Sequence, residues 1–329
     1  MAKDLRDGTS LAVKPLRVAV AGKGGVGKTT VSAALMRCLS ERGLRVFAVD
    51  ADPTALLGAY LGVSIRSTVG QVAERARKVV RSGVVSRPRD LVEAEIKRSL
   101  LHTPCGDLLT MGAPGGKGCY CAANSAVRAT LEEMVRAGRA GASAGLYDVV
   151  LVDCEPGLEI FSRGTLDGVH ELVVVAEPTA AGLLVAAQIW QSAEELGLPA
   201  ARQPRETRPI LRPARQPGYR PVLLNKVHTE NATLATLPPG SLPPYLTNLL
   251  AEHRLHAEWI VPYDPSVAEA DACGQPVAAM RADTLLIRSA DALASALWGL
   301  YQRSGRSQGM RSRLMEGCDL EGKEDILCM

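Results

Sequence analysis

Short runs rich in Val, Ile and Leu recur along the chain at Arg17–Ala21, Leu44–Val49, Asp107–Met111, Asp148–Val152, Glu171–Ala176, Pro221–Leu224 and His256–Val261. Most are separated by helix-length segments, which is the rhythm of a parallel sheet with crossover helices. Apolar residues returning every three or four positions predict helices over Lys28–Arg42, Asn124–Ala137, Ala181–Leu196 and Ala282–Tyr301. Strands alternating with helices give an α/β fold: a doubly wound, mainly parallel sheet with helices on both faces. No fixed-period repeat is present. One domain is expected over residues 16–301, after an N-terminal arm at 1–15 expected to be disordered and before a C-terminal tail at 302–329.

Composition narrows the class. The 329 residues are 47% hydrophobic and 22% charged, which suits a globular chain with a large core. A net charge of +3 is too small over this length to mark a nucleic-acid footprint. The longest purely apolar stretches, such as Leu172–Ala176, fall far short of the roughly 20 residues that span a bilayer. The opening residues MAKDLRDGTS have no apolar block behind their charges, so the expected location is the cytoplasm, with neither nucleic acid nor membrane as partner. Eight cysteines in a reducing compartment are expected to be thiols or metal ligands. The stretch at 199–221 holds six Arg and six Pro and reads as an extended surface insertion. The tail mixes charges without a long apolar face, and its penultimate Cys328 makes no prenylation motif.

The first strand runs into Gly22-Lys23-Gly24-Gly25-Val26-Gly27-Lys28-Thr29-Thr30, which satisfies GxxxxGK[ST] and opens a helix. Glycines let backbone N–H groups gather around phosphates, the helix offers its positive end, Lys28 can reach the terminal phosphates and Thr29 can ligate Mg²⁺. A second lysine, Lys23, stands where an ordinary phosphate loop has no fixed charge. The string KGGVGKTT resembles the deviant Walker A motif of the MinD, ParA and nitrogenase iron-protein superfamily. That resemblance implies a P-loop ATPase in which Lys23 contacts phosphate across the interface of a nucleotide-sandwich homodimer.

Carboxylates follow at two strand ends, where open α/β sheets gather ligands. After the second strand comes Asp50-Ala51-Asp52-Pro53. Asp50 is read as capping the turn. Asp52 matches the superfamily's switch I aspartate, which orients the attacking water. The strand Asp148–Val152 ends in Asp153-Cys154-Glu155-Pro156-Gly157, the place for a Walker B carboxylate holding Mg²⁺ through water and for a switch loop. Cys154, directly after a buried strand, is read as a small core residue. Asn225, Lys226 and Pro262 close later strands, at positions that by resemblance border the adenine of ATP. Guanine specificity would want a carboxylate where His228 stands.

Cys119 and Cys121 sit one residue apart in a Gly-rich loop. They supply two ligands per chain, so a tetrahedral site for Zn²⁺, or a thiolate-rich site for nickel, needs both subunits of a symmetric dimer. The strings GKGGVGKTT, DADP, GCYC followed by Arg128, DVVLVDCEPGLEIFSRGT, VVAEPT, NKV and VPYDPSVAEAD together resemble the CooC family. Those ATPases assist nickel insertion into carbon monoxide dehydrogenase. The resemblance implies an ATP-dependent metallochaperone with a nickel metalloenzyme as client. Two alternatives are an iron–sulfur reductase like the nitrogenase iron protein and a MinD- or ParA-like positioning ATPase.

Overall fold

The computed structural model describes residues 15–81, 94–113, 147–158, 161, 168–197, 220–228 and 242–303. The Cys119–Cys121 loop, the predicted helix Asn124–Ala137, most of the N-terminal arm and the tail, and the Arg/Pro stretch up to residue 219 lie outside the described residues.

Eight strands form one sheet: β1 (Leu16–Gly22), β2 (Val46–Asp50), β3 (Leu101–Thr103), β4 (Gly106–Thr110), β5 (Val149–Asp153), β6 (Glu171–Ala176), β7 (Arg220–Val227) and β8 (Leu255–Pro262). Their order is β3-β4-β2-β5-β1-β6-β7-β8. Every pair is parallel except the edge hairpin β3–β4. All seven predicted strands are present, one (Glu171–Ala176) with the expected ends and the others with ends shifted by one to three residues. The second starts at Val46 rather than Leu44 because Gly43, at φ 74°, and Leu44 complete the helix-ending turn, donating to Ser40 and Leu39.

Helices α1 (Lys28–Glu41), α2 (Leu57–Tyr60), α3 (Val69–Arg81), α4 (Ala180–Glu195), α5 (Pro244–Glu252), α6 (Pro265–Ala272) and α7 (Leu285–Arg303) surround the sheet. Alternation along each strand splits the core in two. Val18 and Val20 with Val46 and Ala48 face α1, α6 and α7, while Ala19 and Ala21 with Phe47 and Val49 face α3, α4 and α5. Apolar cover on both faces is the doubly wound arrangement. The last helix begins at Leu285, three residues beyond the expected start. There the Asp264 carboxylate takes the Leu285 N–H at 2.9 Å while also taking the Ser266 N–H of α6 at 3.0 Å. A single acid thus caps two helices.

β7 starts at Arg220 and so includes the last two residues of the expected insertion. Pro221, which has no N–H to give, precedes the pairing with β6, which begins at Leu223. Its carbonyl accepts from the indole N–H of the buried Trp190 at 2.8 Å, and Arg220 reaches back to Glu194 of α4 at 2.9 Å. Among the described residues, no helix is long and apolar enough to cross a membrane.

Candidate nucleotide site

β1 lies between β5 and β6, and its carboxyl end is the reversal point of the strand order, where ligands of open α/β sheets bind. The chain leaves β1 under severe steric limits. A Cβ on Gly22 would stand 2.3 Å from the Val175 carbonyl, and one on Gly27, at φ 92°, would stand 2.4 Å from the Asn225 amide. Only glycine fits either position. Helix α1 then starts at Lys28 with no side-chain cap and no acid in its first turn. Its free N–H groups and the positive end of its dipole are left open to an anion.

Three carbonyls of the loop are held by side chains. Lys28 Nζ donates to the Lys23 oxygen at 3.3 Å, Lys226 Nζ to that of Gly25 at 2.9 Å, and Asn225 Nδ2 to that of Val26 at 2.7 Å. In a planar trans peptide the following N–H points opposite to the carbonyl, so these bonds also fix the N–H groups of Gly24, Val26 and Gly27. The result is a concave row of donors suited to phosphate oxygens. Lys28 is buried, and loss of hydration holds its pKa below the usual lysine range against the pull of Asp153, Asp52 and Cys154. Such an ammonium, answered inside the loop by a single long carbonyl contact, is suited to polyphosphate. Lys23 is exposed at the rim of the loop.

Beside the loop, Asp153 is fully buried. Its Oδ1 accepts from Ser32 at 2.9 Å, and its Oδ2 has no well-formed hydrogen bond. Burial pushes its pKa up to about 6, opposed by the Thr29 and Ser32 hydroxyls and by Lys28. An orphaned carboxylate oxygen next to a threonine hydroxyl has the hard-oxygen chemistry that Mg²⁺ takes, so Thr29 and Asp153 fit that ion. The Cys154 N–H is held by Val20 at 3.0 Å and the Gly157 N–H by Gly22 at 3.1 Å, tying the segment after β5 to the loop. Cys154 is fully buried, and its thiol is pushed far above the usual range by burial and by Asp153. It is a core residue, as expected.

Asp50 caps its turn as expected, taking the N–H groups of Asp52 at 3.2 Å and Leu57 at 3.0 Å. Burial, reinforced by Asp153, pushes its pKa up to about 8. Asp52 spends Oδ1 on an Asx turn, accepting the Thr54 N–H at 2.9 Å and hydroxyl at 2.7 Å. Ala55, at φ 57°, closes this loop in the left-handed region.

Two of the residues assigned to the adenine side have hydrogen-bond partners inside the protein. Asn225 places its amide nitrogen on the phosphate loop and its oxygen on the Lys226 N–H at 2.9 Å. Lys226 binds Gly25 and also Glu177 Oε1 at 2.8 Å. Pro262 ends β8 just before Tyr263, whose ring stacks on His228 at 4.6 Å. Sequence reading missed Glu177 and Tyr263, although both lie in strings it quoted. Among the described residues, no group of three or more His, Cys, Asp or Glu could hold a metal. Cys119 and Cys121 fall outside those residues.

The family model of the CobQ/CobB/MinD/ParA nucleotide binding domain matches residues 18–277. The carbon monoxide dehydrogenase accessory protein CooC of Rhodospirillum rubrum is 36% identical over 197 residues, which cover 56% of this chain and 71% of that protein. An ATP-binding protein of Methanocaldococcus jannaschii is 35% identical over 182 residues, covering 54% of this chain and 68% of that one. The septum site-determining protein MinD of Pyrococcus horikoshii, solved with Mg-ADP, matches with a TM-score of 0.53 at 20% identity, over 85% of this chain and 95% of that one. At that identity the likeness is one of fold.

Proposed function

The chain belongs to the CobQ/CobB/MinD/ParA nucleotide-binding family, and from that premise we propose that its ATPase activity drives a homodimer that assists nickel insertion into carbon monoxide dehydrogenase or a related metalloenzyme. The observation that carries the finer reading is the 36% identity to CooC. In this reading Lys28 neutralises phosphate charge, Thr29 and Asp153 hold Mg²⁺, Asp52 orients the attacking water, and Asn225, Lys226 and Pro262 border the base. Lys23 reaches the partner's nucleotide. The exposed Lys23 and two exposed leucines that follow the carboxylate loops, Leu56 at 48% and Leu158 at 43%, give this face both charge and apolar area to bury in a dimer. Cys119 and Cys121 of both subunits form the thiolate site that carries the metal.

Burial of Cys154 counts against the iron–sulfur reductase, because a thiol sealed behind β5 is poorly placed to share a cluster across a dimer axis. Metal analysis combined with mass measurement, with and without ATP, tests the proposal. It expects one zinc or nickel per dimer, lost in Cys119→Ala or Cys121→Ala and retained in Cys154→Ala. Four iron and four sulfide per dimer would replace it with the reductase. Lys23→Ala should abolish ATP-dependent dimerisation while monomer affinity for ATP stays within about threefold, less than about 0.7 kcal/mol. Light scattering with ATP reads the dimer fraction.

A further inference from the structure

Two consecutive residues at the end of β7 grip two consecutive carbonyls of the phosphate loop, Asn225 that of Val26 and Lys226 that of Gly25. The Lys226 ammonium has a second partner, Glu177, just beyond the end of β6. Lys226 makes both contacts from a backbone at φ 59°, a region that ordinary L-residues avoid, at a register irregularity in the pairing of β7 with β8. The Gly25 peptide is therefore clamped from outside the loop by a lysine that a glutamate steers.

We propose that Glu177 and Lys226 form a positioning latch: Lys226 fixes the Gly25 peptide so that the Val26 N–H faces the nucleotide phosphates, and Glu177 holds the ammonium where it can do so. The proposal rests on the phosphate loop binding ATP. It gives the Lys226 ammonium a role that acts through the loop, beside the residue's place at the border of the base. The two roles predict opposite consequences of removing the glutamate charge. If Lys226 were itself a nucleotide ligand, neutralising Glu177 would free its ammonium and tighten binding. If it is a latch, the same change loosens the Gly25 peptide and weakens binding.

The test uses the full chain, with ATP binding by calorimetry and turnover by phosphate release, in Lys226→Met, Lys226→Arg and Glu177→Gln. Methionine keeps the stem length and the backbone demand at position 226 and removes only the ammonium. The latch expects Lys226→Met to weaken ATP binding and raise KM about tenfold while kcat stays within about threefold, since a misplaced ground-state contact is lost rather than one made only in the transition state. Glu177→Gln should weaken binding severalfold, and the double variant should be no worse than Lys226→Met alone, because both residues act through one peptide. Lys226→Arg should recover part of the affinity. Melting without nucleotide should be unchanged in all variants. The latch is overturned if Glu177→Gln binds ATP as tightly as the unmodified chain or more tightly, if Lys226→Met leaves KM unchanged, or if affinity loss merely tracks a lower melting temperature. Failure of the unmodified chain to bind ATP would overturn the reading of the loop, and the latch with it.

Discussion

The ends of β2 and β5 lie side by side, and register pairs Asp50 directly with Asp153. Both acids are fully buried and both titrate above the usual carboxylate range, chiefly through loss of hydration. Their partners separate them. Asp50 gives one oxygen to each of two backbone N–H groups and so fixes the loop that carries Asp52. Asp153 accepts a hydroxyl on one oxygen and leaves the other without a well-formed bond. A buried polar atom without a partner costs stability, so the second arrangement is explained by a ligand and the first by the fold alone. Two aspartates with the same burial at the same height of one sheet thus have different work.

The sharpest break would come at Asp153. Asp153→Asn should lower magnesium-dependent ATP turnover at least about 100-fold, equivalent to about 2.7 kcal/mol of barrier, while folding stability changes little because the amide can replace the oxygen that has no well-formed hydrogen bond. Steady-state turnover alongside chemical denaturation reads both, and turnover near that of the unmodified chain would erase the distinction between the two acids. Asp50→Ala should do the reverse in kind. It strands the buried N–H of Leu57 and the half-buried N–H of Asp52 and should lower folding stability by about 2–4 kcal/mol, read as a shift in denaturant midpoint.

The third effect is in pH. The folded pKa of Asp50, about 8, lies above its unfolded value of 3.8, so folding favours the protonated form. Its favourable contribution is complete below the unfolded value and is lost as pH rises towards 8. Stability of the unmodified chain should therefore fall relative to Asp50→Asn between about pH 4 and 8, by at most about 1.4 kcal/mol per pH unit. Denaturation curves across that range provide the measurement, and a flat difference would mean that Asp50 titrates in the ordinary carboxylate range.

Sequence reading assigned the two acids different roles, Asp50 as a turn cap and Asp153 as a magnesium carboxylate, but could not name the partners that make them differ. The phosphate loop was legible because its chemistry is contiguous: the glycines, Lys28 and Thr29 follow one another. What distinguishes Asp153 from Asp50 is Ser32, 121 residues away, and the Leu57 N–H, which depends on the turn that Ala55 closes. The pairing of Lys226 with Glu177 spans 49 residues and leaves no local trace. Helix α3 is a different case. Sequence reading missed it, although Thr68 and Gln71 form a reciprocal capping box at its start, with the Thr68 N–H on Gln71 at 3.2 Å and the Gln71 N–H on Thr68 at 3.3 Å. A glycine at position 70 and a charge-rich body hid the apolar stripe of Val69 and Val72. The β3 strand, three residues long at the sheet edge, was too short to show a period.

The junction of α4 and β7 bears on how this chain tolerates change. Arg220 bonds Glu194 in the last turn of α4, and the Pro221 carbonyl is pinned by Trp190. The two ends of the segment from 198 to 219 are therefore stapled together by contacts that do not involve the segment itself. For a span closed in this way, the entropy cost rises only with the logarithm of its length, about 0.6 kcal/mol for each doubling. Exchanging residues 198–219 for a peptide tag is therefore expected to leave magnesium-dependent ATP turnover unchanged, because both anchoring contacts lie outside that stretch.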